Sequence, residues 1–276
     1  MIIAEPLGGL ANRMRVIASA ILLQQKLNTK LIVIWNENYE LNCPFNLLFE
    51  DCPAFTIQSK ERKYNYIKSS NQTTPGKKIQ AAFVNKLIGI DYCILDNDFY
   101  NLVFKGKLDV YFAAKNHGIT YIQTCQAFGE TLNALSYFKP VLSVREKIRD
   151  VARQITACTI GVHIRRTDHD NSIKYSPIDL FVQKMQAAMA ACKKTTFFLC
   201  TDDPEVEKIV TSFFCEKVIV HKKERSRQTV RGMQDAVVDL YCLSATSKIL
   251  GSYWSSFAEI AAALNNIELE IVRIPE

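Results

Sequence analysis

The sequence lacks the features of membrane, secreted and zinc-binding proteins. Its 276 residues contain no apolar run that approaches the roughly eighteen residues of a membrane span. Residues 1–9 carry neither a basic region nor a long apolar core, so we expect no secretory signal. The nine cysteines are scattered, without CxxC spacing or a histidine at zinc-ligand spacing. We therefore expect reduced cysteines and a cytoplasmic location.

The sequence also lacks a large excess of charge of either sign. The net charge of +6 comes from 34 basic and 28 acidic residues, which is mild for this length. One segment, 221–231, is rich in Lys and Arg and has a single Glu, but no aromatic side chain interleaves with its charges, as single-stranded nucleic acid would require. Two interpretations of this segment remain: a loop beside an anionic donor molecule, or a weak contact with anionic lipid. We expect no nucleic-acid partner and at most peripheral membrane contact.

The carboxyl-terminal half has no internal repeat, but strand and helix patterns alternate along it. Strand–helix alternation with continuous apolar strands predicts a parallel sheet covered by helices on both faces. The fold class is therefore α/β. The predicted strands are 158–164, 196–200, 217–220, 247–251 and 268–273, and the predicted helices are 178–193, 204–213, 232–244 and 256–265.

The amino-terminal half starts in the same way and then becomes irregular. Apolar patterns predict a strand at 1–4, a helix at 10–27 and strands at 31–35, near 92–95 and at 119–123. The polar segment 59–78 is typical of an exposed loop. A helix at 143–155 would link the halves. We expect two α/β lobes that face a cleft, 1–150 and 151–276.

The most informative stretch is 159–168, TIGVHIRRTD, an apolar strand that ends in a charge cluster. The strand-end edge of an α/β sheet is where ligands bind, and a guanidinium suits the oxygens of a diphosphate. His163 and Arg165 share one face of the strand, and Arg166 points to the other. We assign Arg165 to a diphosphate, and Arg166 to bracing the loop through Asp168 or to reaching a sugar. A structural ion pair is the alternative.

A second candidate is the glycine turn that follows the first strand. Gly8 and Gly9 permit a tight turn and a close approach to a ligand, and the helix start behind them offers unpaired N–H groups to an anion. Asn12 can donate and accept hydrogen bonds, and Arg13 or Arg15 can neutralise phosphate. Helix entry alone would also explain the glycines.

Acidic and hydroxyl side chains occupy three further strand or helix ends. Asp203 is explained as a helix N-cap, whereas Asp202 would lie at the edge that carries the arginines and could position one of them or accept from a hydroxyl. Asp239 is either a solvated helix residue or an acceptor for a guanine base. Ser255 and Ser256 are either N-caps or a cradle for phosphate.

These motifs, in this order, resemble GDP-fucose-dependent fucosyltransferases. The resemblance rests on His-x-Arg-Arg-Thr-Asp, then Thr-Asp-Asp-Pro, then Arg-Gly-x(6)-Asp-Leu-x-x-Leu-Ser, then Ser-Ser before a helix, with Gly-Gly-Leu-x-Asn near the start. It is strongest toward the α-1,6-fucosyltransferases, which include rhizobial nodulation enzymes. It covers about 155–265 and 5–16.

The resemblance implies a GT-B-like fold with two Rossmann-type lobes and an inverting transfer that needs no metal and no cofactor. The partners it implies are a nucleotide-sugar donor, held mainly by the second lobe (151–276), and a glycan acceptor on the side of the first lobe (1–150). Carried over to this sequence, it assigns Arg165 to the donor diphosphate, His163 and Asp239 to guanine and its ribose, Ser255 and Ser256 to the phosphate loop, and Asn12 to a diphosphate contact from across the cleft.

One departure from the family concerns the general base. Ile173 stands where the α-1,6-fucosyltransferases have a glutamate, five residues after the motif aspartate. The candidates that remain are Asp168, His169 and Asp170, with Glu5 as an outside possibility. A different GDP- or UDP-sugar donor and a non-catalytic nucleotide-binding role are the competing hypotheses.

Overall fold

The computed structural model describes residues 1–129, 132–167 and 170–274. The chain divides into two compact units, Met1–Lys139 and Pro140–Glu276. Each unit is built on its own five-stranded sheet, and every strand pair in both sheets is parallel. Within the described ranges no helix is both long and apolar enough to cross a membrane.

The first sheet has the strand order β3-β2-β1-β5-β4, with β1 at its centre. Because parallel strands end at one edge, the glycine turn after β1 lies in the middle of the carboxyl edge of this sheet. In chain order the elements are β1 (Ile2–Pro6), α1 (Leu10–Leu27), β2 (Leu31–Ile34), β3 (Thr56–Gln58), α2 (Pro75–Ile88), β4 (Tyr92–Ile94), α3 (Asp96–Asp98), α4 (Val110–Lys115) and β5 (Thr120–Thr124). Short 3-10 helices lie at Phe45–Leu47, Arg62–Tyr66 and Leu132–Tyr137, and a π-helical turn at Phe99–Val103.

Burial explains why this unit begins with a strand and a helix. All five residues of β1 are buried, and α1 buries the apolar face that contains Met14, Ile17 and Ile21. The helix ends where Asn28 adopts a left-handed conformation, with φ of 46°, and its N–H donates to the last helical carbonyls.

The prediction of an exposed loop over 59–78 is wrong in part. Residues Arg62–Tyr66 form a 3-10 helix whose Tyr64 ring is buried against Tyr121, and α2 already begins at Pro75. Proline suits the first helical position because its missing N–H would have no partner there. Only Ala81 and Asn85 of α2 are buried, so no inward apolar stripe marked this helix in the sequence.

The second sheet has the order β10-β9-β6-β7-β8, again with the strand of interest, β6, at its centre. The alternation predicted for this half is confirmed, and each predicted strand and helix is found with ends shifted by at most two residues. The elements are α5 (Leu142–Ala152), β6 (Thr159–Ile164), α6 (Asp170–Tyr175), α7 (Ile178–Ala191), β7 (Thr196–Thr201), α8 (Pro204–Phe214), β8 (Val218–Val220), α9 (Val230–Ser244), β9 (Lys248–Ser252), α10 (Ser256–Leu264) and β10 (Glu268–Val272).

Helix α5 belongs to the second unit, so the boundary between units precedes it and does not fall after residue 150. Val144 of this helix is fully buried, Lys147 donates to Asp235 of α9, and Cys242 of α9 donates to the Ile148 carbonyl. The core of the second unit lies between the sheet and its helices. Its fully buried members include Val162, Ile164, Phe181, Met185, Phe197, Leu199 and Val210.

Candidate functional site

The carboxyl edge of the second sheet carries the arginine cluster that the sequence singled out. Arg165 directly follows β6, is half-buried, and donates its backbone N–H to Ser252 Oγ at 3.1 Å. The Ser252 hydroxyl in turn donates to the His163 carbonyl at 3.3 Å. Ser252 is the last residue of β9, so the neighbouring strand fixes the backbone from which Arg165 projects.

Asp202 holds the next two residues of this loop. Its Oδ1 accepts from the Arg166 N–H at 2.8 Å, and its Oδ2 accepts from the Thr167 N–H at 3.3 Å and the Thr167 hydroxyl at 2.8 Å. Asp202 follows β7, which pairs with β6, so the topology alone brings the carboxylate to this loop. Asp202 therefore uses both carboxylate oxygens to hold the loop that follows β6. We name residues 165–167 with their anchors, Ser252 and Asp202, the arginine loop.

Arg166 braces the same loop from the opposite side. Its buried guanidinium donates to the carbonyls of Ser176, at 2.6 Å, and Ser172, at 3.4 Å. Burial lowers the pKa of Arg166, with Asp202 and Asp203 acting against that shift. Arg166 therefore braces the loop by hydrogen bonds to backbone carbonyls. Asp168, its predicted partner, lies outside the described residues.

His163 lies buried beside the arginine loop in its neutral form. Its Nδ1 is 3.2 Å from Ser255 Oγ, and its ring stacks on Phe257 with centroids 5.0 Å apart. Burial, assisted by Arg165 and Lys223, lowers the pKa of His163 to about 4, although Asp202 opposes the shift. A neutral imidazole offers one donor and one acceptor, which suits a base or a sugar hydroxyl better than a phosphate.

The start of α10 supplies the two serines. Ser255 is the N-cap residue, yet its fully buried hydroxyl faces His163 and makes no capping bond to the helix. Ser256 is the first helical residue and is half-buried. The amino end of α10 thus keeps N–H groups without a side-chain cap, which is the arrangement that binds an anion.

Asp239 is more tightly paired than the sequence suggested. One of its oxygens accepts from His221 Nδ1 at 3.0 Å and the other from Lys223 Nζ. Burial works against the charged form, but Lys223 and His221 prevail and the pKa of Asp239 lies below its usual value. Burial would likewise lower the pKa of Lys223, and Asp239 outweighs it and raises that pKa.

Sequence reasoning missed His221 and Lys223 as partners of α9. Asp235, one turn before Asp239, accepts from the Glu224 N–H at 3.0 Å, so the start of the basic segment is folded onto the helix. Gly232 permits this approach, because a Cβ there would lie 2.0 Å from the Ser226 carbonyl oxygen. The signal in the sequence was the pair Asp235 and Asp239, at i and i+4 among the apolar residues of this helix. Buried carboxylates require partners, so the pair predicted nearby basic side chains or N–H groups.

In the first unit, the glycine turn has the predicted shape. Gly8 has a φ of +82°, and a Cβ would approach Asn12 Nδ2 to 2.6 Å, so both conformation and space require glycine. The Gly8 N–H is not directed at a ligand, because it donates to Glu40 Oε2 at 2.9 Å. Gly9 is the N-cap residue of α1, whose first turn contains no acid. The buried Asn12 Oδ1 has no hydrogen-bond partner within the described part of the chain.

Arg13 shapes this turn from inside. Its fully buried side chain donates to the Gly8 carbonyl at 2.8 Å, the Asn36 carbonyl at 2.7 Å and Asn38 Oδ1 at 3.0 Å, and it lies over the Trp35 ring. Burial lowers the pKa of Arg13 to about 10, so it stays charged at neutral pH. Its predicted contact with phosphate finds no support in this geometry.

The candidates for a general base divide into two groups. Asp168 and His169 lie outside the described residues, and Asp170 is exposed at the start of α6, where Ile173 is also exposed. Glu5, by contrast, is buried and accepts from Lys60 at 2.8 Å, from Gln123 at 3.0 Å and from the Tyr121 hydroxyl. These three donors engage Glu5 within the first unit.

Over 1–129, 132–167 and 170–274, no three His, Cys, Asp or Glu side chains gather closely enough to hold a metal ion.

No protein-family model and no curated protein sequence matches this chain. Solved structures do match it. NodZ α-1,6-fucosyltransferase soaked with GDP-fucose has a TM-score of 0.60 and 18% identity over 95% of this chain and 91% of that one. NodZ from Bradyrhizobium matches with a TM-score of 0.61 and 17% identity over 94% of this chain and 90% of that one. A variant of Arabidopsis thaliana FUT1 in complex with GDP matches with a TM-score of 0.63 and 14% identity over 100% of this chain and 70% of that one.

These likenesses concern the fold. POFUT1 in its apo form also matches, with a TM-score of 0.60 and 9% identity over 98% of this chain and 97% of that one. At such identities the likeness shows the fold alone, which in this chain consists of two α/β units, each with a parallel five-stranded sheet. The predicted GT-B-like fold with Rossmann-type lobes is confirmed, and so is the resemblance to fucosyltransferases at the level of fold.

Proposed function

We propose that this protein is an inverting glycosyltransferase that moves L-fucose from GDP-fucose to a hydroxyl group of a glycan. One observation carries the proposal. Arg165 projects from a backbone that Ser252 and Asp202 fix at the carboxyl edge of the second sheet. The fold supports it, since similar solved structures are fucosyltransferases that contain GDP or GDP-fucose.

Donor binding follows from the chemistry of each group. Arg165 supplies the fixed charge for the diphosphate, and the uncapped amino end of α10, with Ser255 and Ser256, supplies N–H and O–H donors. His163, which is neutral, and Asp239 offer hydrogen bonds to guanine and its ribose. In the first unit, the orphan oxygen of Asn12 is the atom best suited to accept from a ligand.

The proposed chemistry places charge stabilisation on one side chain. As the glycosidic bond breaks, negative charge grows on the β-phosphate, and a guanidinium that is already in place lowers the barrier without reorganising. Removal of one such donor typically costs about 10²–10³-fold in rate. A carboxylate or imidazole would assist deprotonation of the acceptor, and Asp168, His169 and Asp170 remain the candidates for this base. We propose that no metal takes part.

A different GDP- or UDP-sugar is the alternative donor. The observation in its favour is the pairing of Asp239 with Lys223, because guanine recognition by a carboxylate would have to compete with that ammonium group. The exposed Ile173 in place of a family glutamate favours a non-catalytic nucleotide-binding protein instead. The two alternatives predict different outcomes in the same pair of assays.

The first assay compares thermal unfolding of the full chain with GDP, GMP and UDP. A ligand at a hundred times its dissociation constant stabilises the folded state by about 2.7 kcal/mol, so GDP should raise Tm selectively. The second measures release of GDP from GDP-fucose, with and without glycan acceptors. GDP binding without any turnover would favour the non-catalytic role, and preferential stabilisation by UDP would exclude GDP-fucose as the donor.

We also propose a cytoplasmic setting and a role in polysaccharide biosynthesis. The nine cysteines support the first part, because all are free and Cys43, Cys93, Cys200 and Cys242 are buried. Persisting free thiols are typical of a reducing compartment. Detection of all nine by a thiol reagent in unfolded protein taken directly from cells would test it.

A further inference from the structure

Helix α2 carries three large apolar side chains that face solvent. Ile79, Phe83 and Leu87 are 72%, 64% and 73% exposed. They stand at i, i+4 and i+8, so they form one stripe along the helix. Nothing in the proposed donor chemistry uses this stripe.

The opposite face of α2 shows why the stripe points outward. Its buried residues are Ala81 and Asn85, and Asn85 bonds both the N–H and the carbonyl of Lys68, at 3.0 and 2.7 Å. The helix is thus attached to its unit by a small residue, by the hydrogen bonds of Asn85 and, at its last residue, by the partly buried Ile88. A helix whose bulky apolar residues lie on the solvent side is atypical of a surface helix and marks an interaction site. Tyr66, in the 3-10 helix that packs on α2, is also 70% exposed.

The charges along α2 are all of one sign. Lys77, Lys78 and Lys86 are exposed, and Pro75–Ile88 contains no acidic residue. On a helical projection Lys86 borders the stripe and pairs with Asp91, which follows the helix, at 3.1 Å. Lys77 and Lys78 lie on opposite sides of the helix, roughly 120° and 140° from the middle of the stripe. A surface of this kind complements a negative one, whereas two copies of it would repel each other. The charges therefore favour an anionic surface over a second copy of this chain.

We propose that α2 docks this protein on membranes that contain anionic phospholipids. The 14-residue helix would lie in the plane of the interface, with Ile79, Phe83 and Leu87 inserted at the acyl boundary and the lysines at the lipid phosphates. Its length of about 21 Å and its few apolar anchors make such binding reversible. This inference does not depend on which sugar nucleotide the second unit binds.

The chain offers a matched control on another helix. Ile209 and Phe213 of α8 are also exposed, at 39% and 59%, and also stand at i and i+4. Glu205 and Glu207 lie on the same helix with a single lysine, Lys208, which pairs with Glu205, so the charged residues of α8 are net acidic where those of α2 are all basic. If exposed apolar residues alone caused membrane binding, the two helices would behave alike.

The experiment is co-flotation of the full chain with vesicles of phosphatidylcholine and phosphatidylglycerol in equal parts, compared with phosphatidylcholine alone. The Phe83→Ser/Leu87→Ser variant should lose roughly a hundredfold in partition coefficient, from the apolar surface it no longer buries. The Lys77→Gln/Lys78→Gln variant should lose roughly thirtyfold at low salt and less at high salt. The Ile209→Ser/Phe213→Ser control should bind as the wild type does.

Three results would overturn the proposal. They are absence of wild-type binding to the anionic vesicles, equal loss of binding in the α8 control, and a dimer in sedimentation velocity that the α2 variant abolishes. GDP binding measured on the same variants should be unchanged. A failure of donor binding in the wild type would leave the flotation result standing, so the two proposals fail separately.

Discussion

Asp202→Asn tests whether the arginine loop is held by a carboxylate. In the folded protein, Asp202 accepts from the Arg166 N–H, the Thr167 N–H and the Thr167 hydroxyl. Asparagine keeps the size and one acceptor oxygen, but it replaces the other oxygen with an NH₂ group that faces donors. The loop that presents Arg165 should therefore lose its preferred conformation.

The magnitude follows from these contacts. Hydrogen bonds to charged groups contribute about 1.5–3 kcal/mol and neutral ones about 0.5–1.5 kcal/mol. The substitution should thus cost the ordered loop about 2 kcal/mol, which corresponds to roughly thirtyfold in the population of the competent conformation. We expect kcat/KM for GDP-fucose to fall by roughly that factor, with little change in Tm, because the loop lies outside the core.

Asp203→Asn is the matched control. Asp203 caps α8 by accepting from the Glu205 N–H at 2.8 Å, and asparagine is an equally good N-cap residue. The assay is initial-rate release of GDP, with GDP affinity measured by calorimetry on the same samples. Equal kcat/KM values for the two variants would refute the idea that Asp202 positions Arg165.

Three further outcomes are expected. Gly232→Ala should lower the free energy of unfolding by about 1–3 kcal/mol, because its Cβ would overlap the Ser226 carbonyl; an unchanged denaturation midpoint would contradict the close approach. The pKa of His163 lies at about 4, below its ordinary value of 6.5, so between these two pH values the unfolded state binds a proton on this side chain that the folded state does not. Stability should accordingly fall as pH drops from about 6.5 toward 4, and urea titrations of His163→Gln should show a shallower fall. Activity should persist in EDTA, and a loss that Mn²⁺ restores would require a metal-dependent mechanism.

The sequence predicted most of the second unit because its elements follow simple rules. Continuous apolar strands ended at polar residues, and β6, β7 and β9 therefore brought Arg165, Asp202 and Ser255 to the same edge. In the first unit the same rules predicted β1, α1, β2, β4 and β5, but not β3 or the helices α2, α3 and α4. Helix α2 was not predicted, because its large apolar residues Ile79, Phe83 and Leu87 face solvent and so do not form a stripe that faces a core.

Partners were harder to predict than positions. The sequence singled out Asp239 by its place in a motif, but its pairing with His221 and Lys223 depends on how the segment after β8 folds back onto α9. Arg13 shows the same limit. Its place beside a glycine turn predicted a contact with phosphate, whereas in the structure its guanidinium donates hydrogen bonds to the carbonyls of Gly8 and Asn36.

The most direct test of the central claim is the single-turnover rate of GDP-fucose consumption by Arg165→Lys and Arg165→Ala. Lysine keeps the charge but loses the planar fork, and alanine loses both. We predict that alanine lowers the rate by about 10²–10³-fold at saturating donor, that lysine restores part of it, and that both variants unfold at the wild-type temperature. Wild-type turnover in the alanine variant would contradict the assignment of Arg165 to the leaving diphosphate.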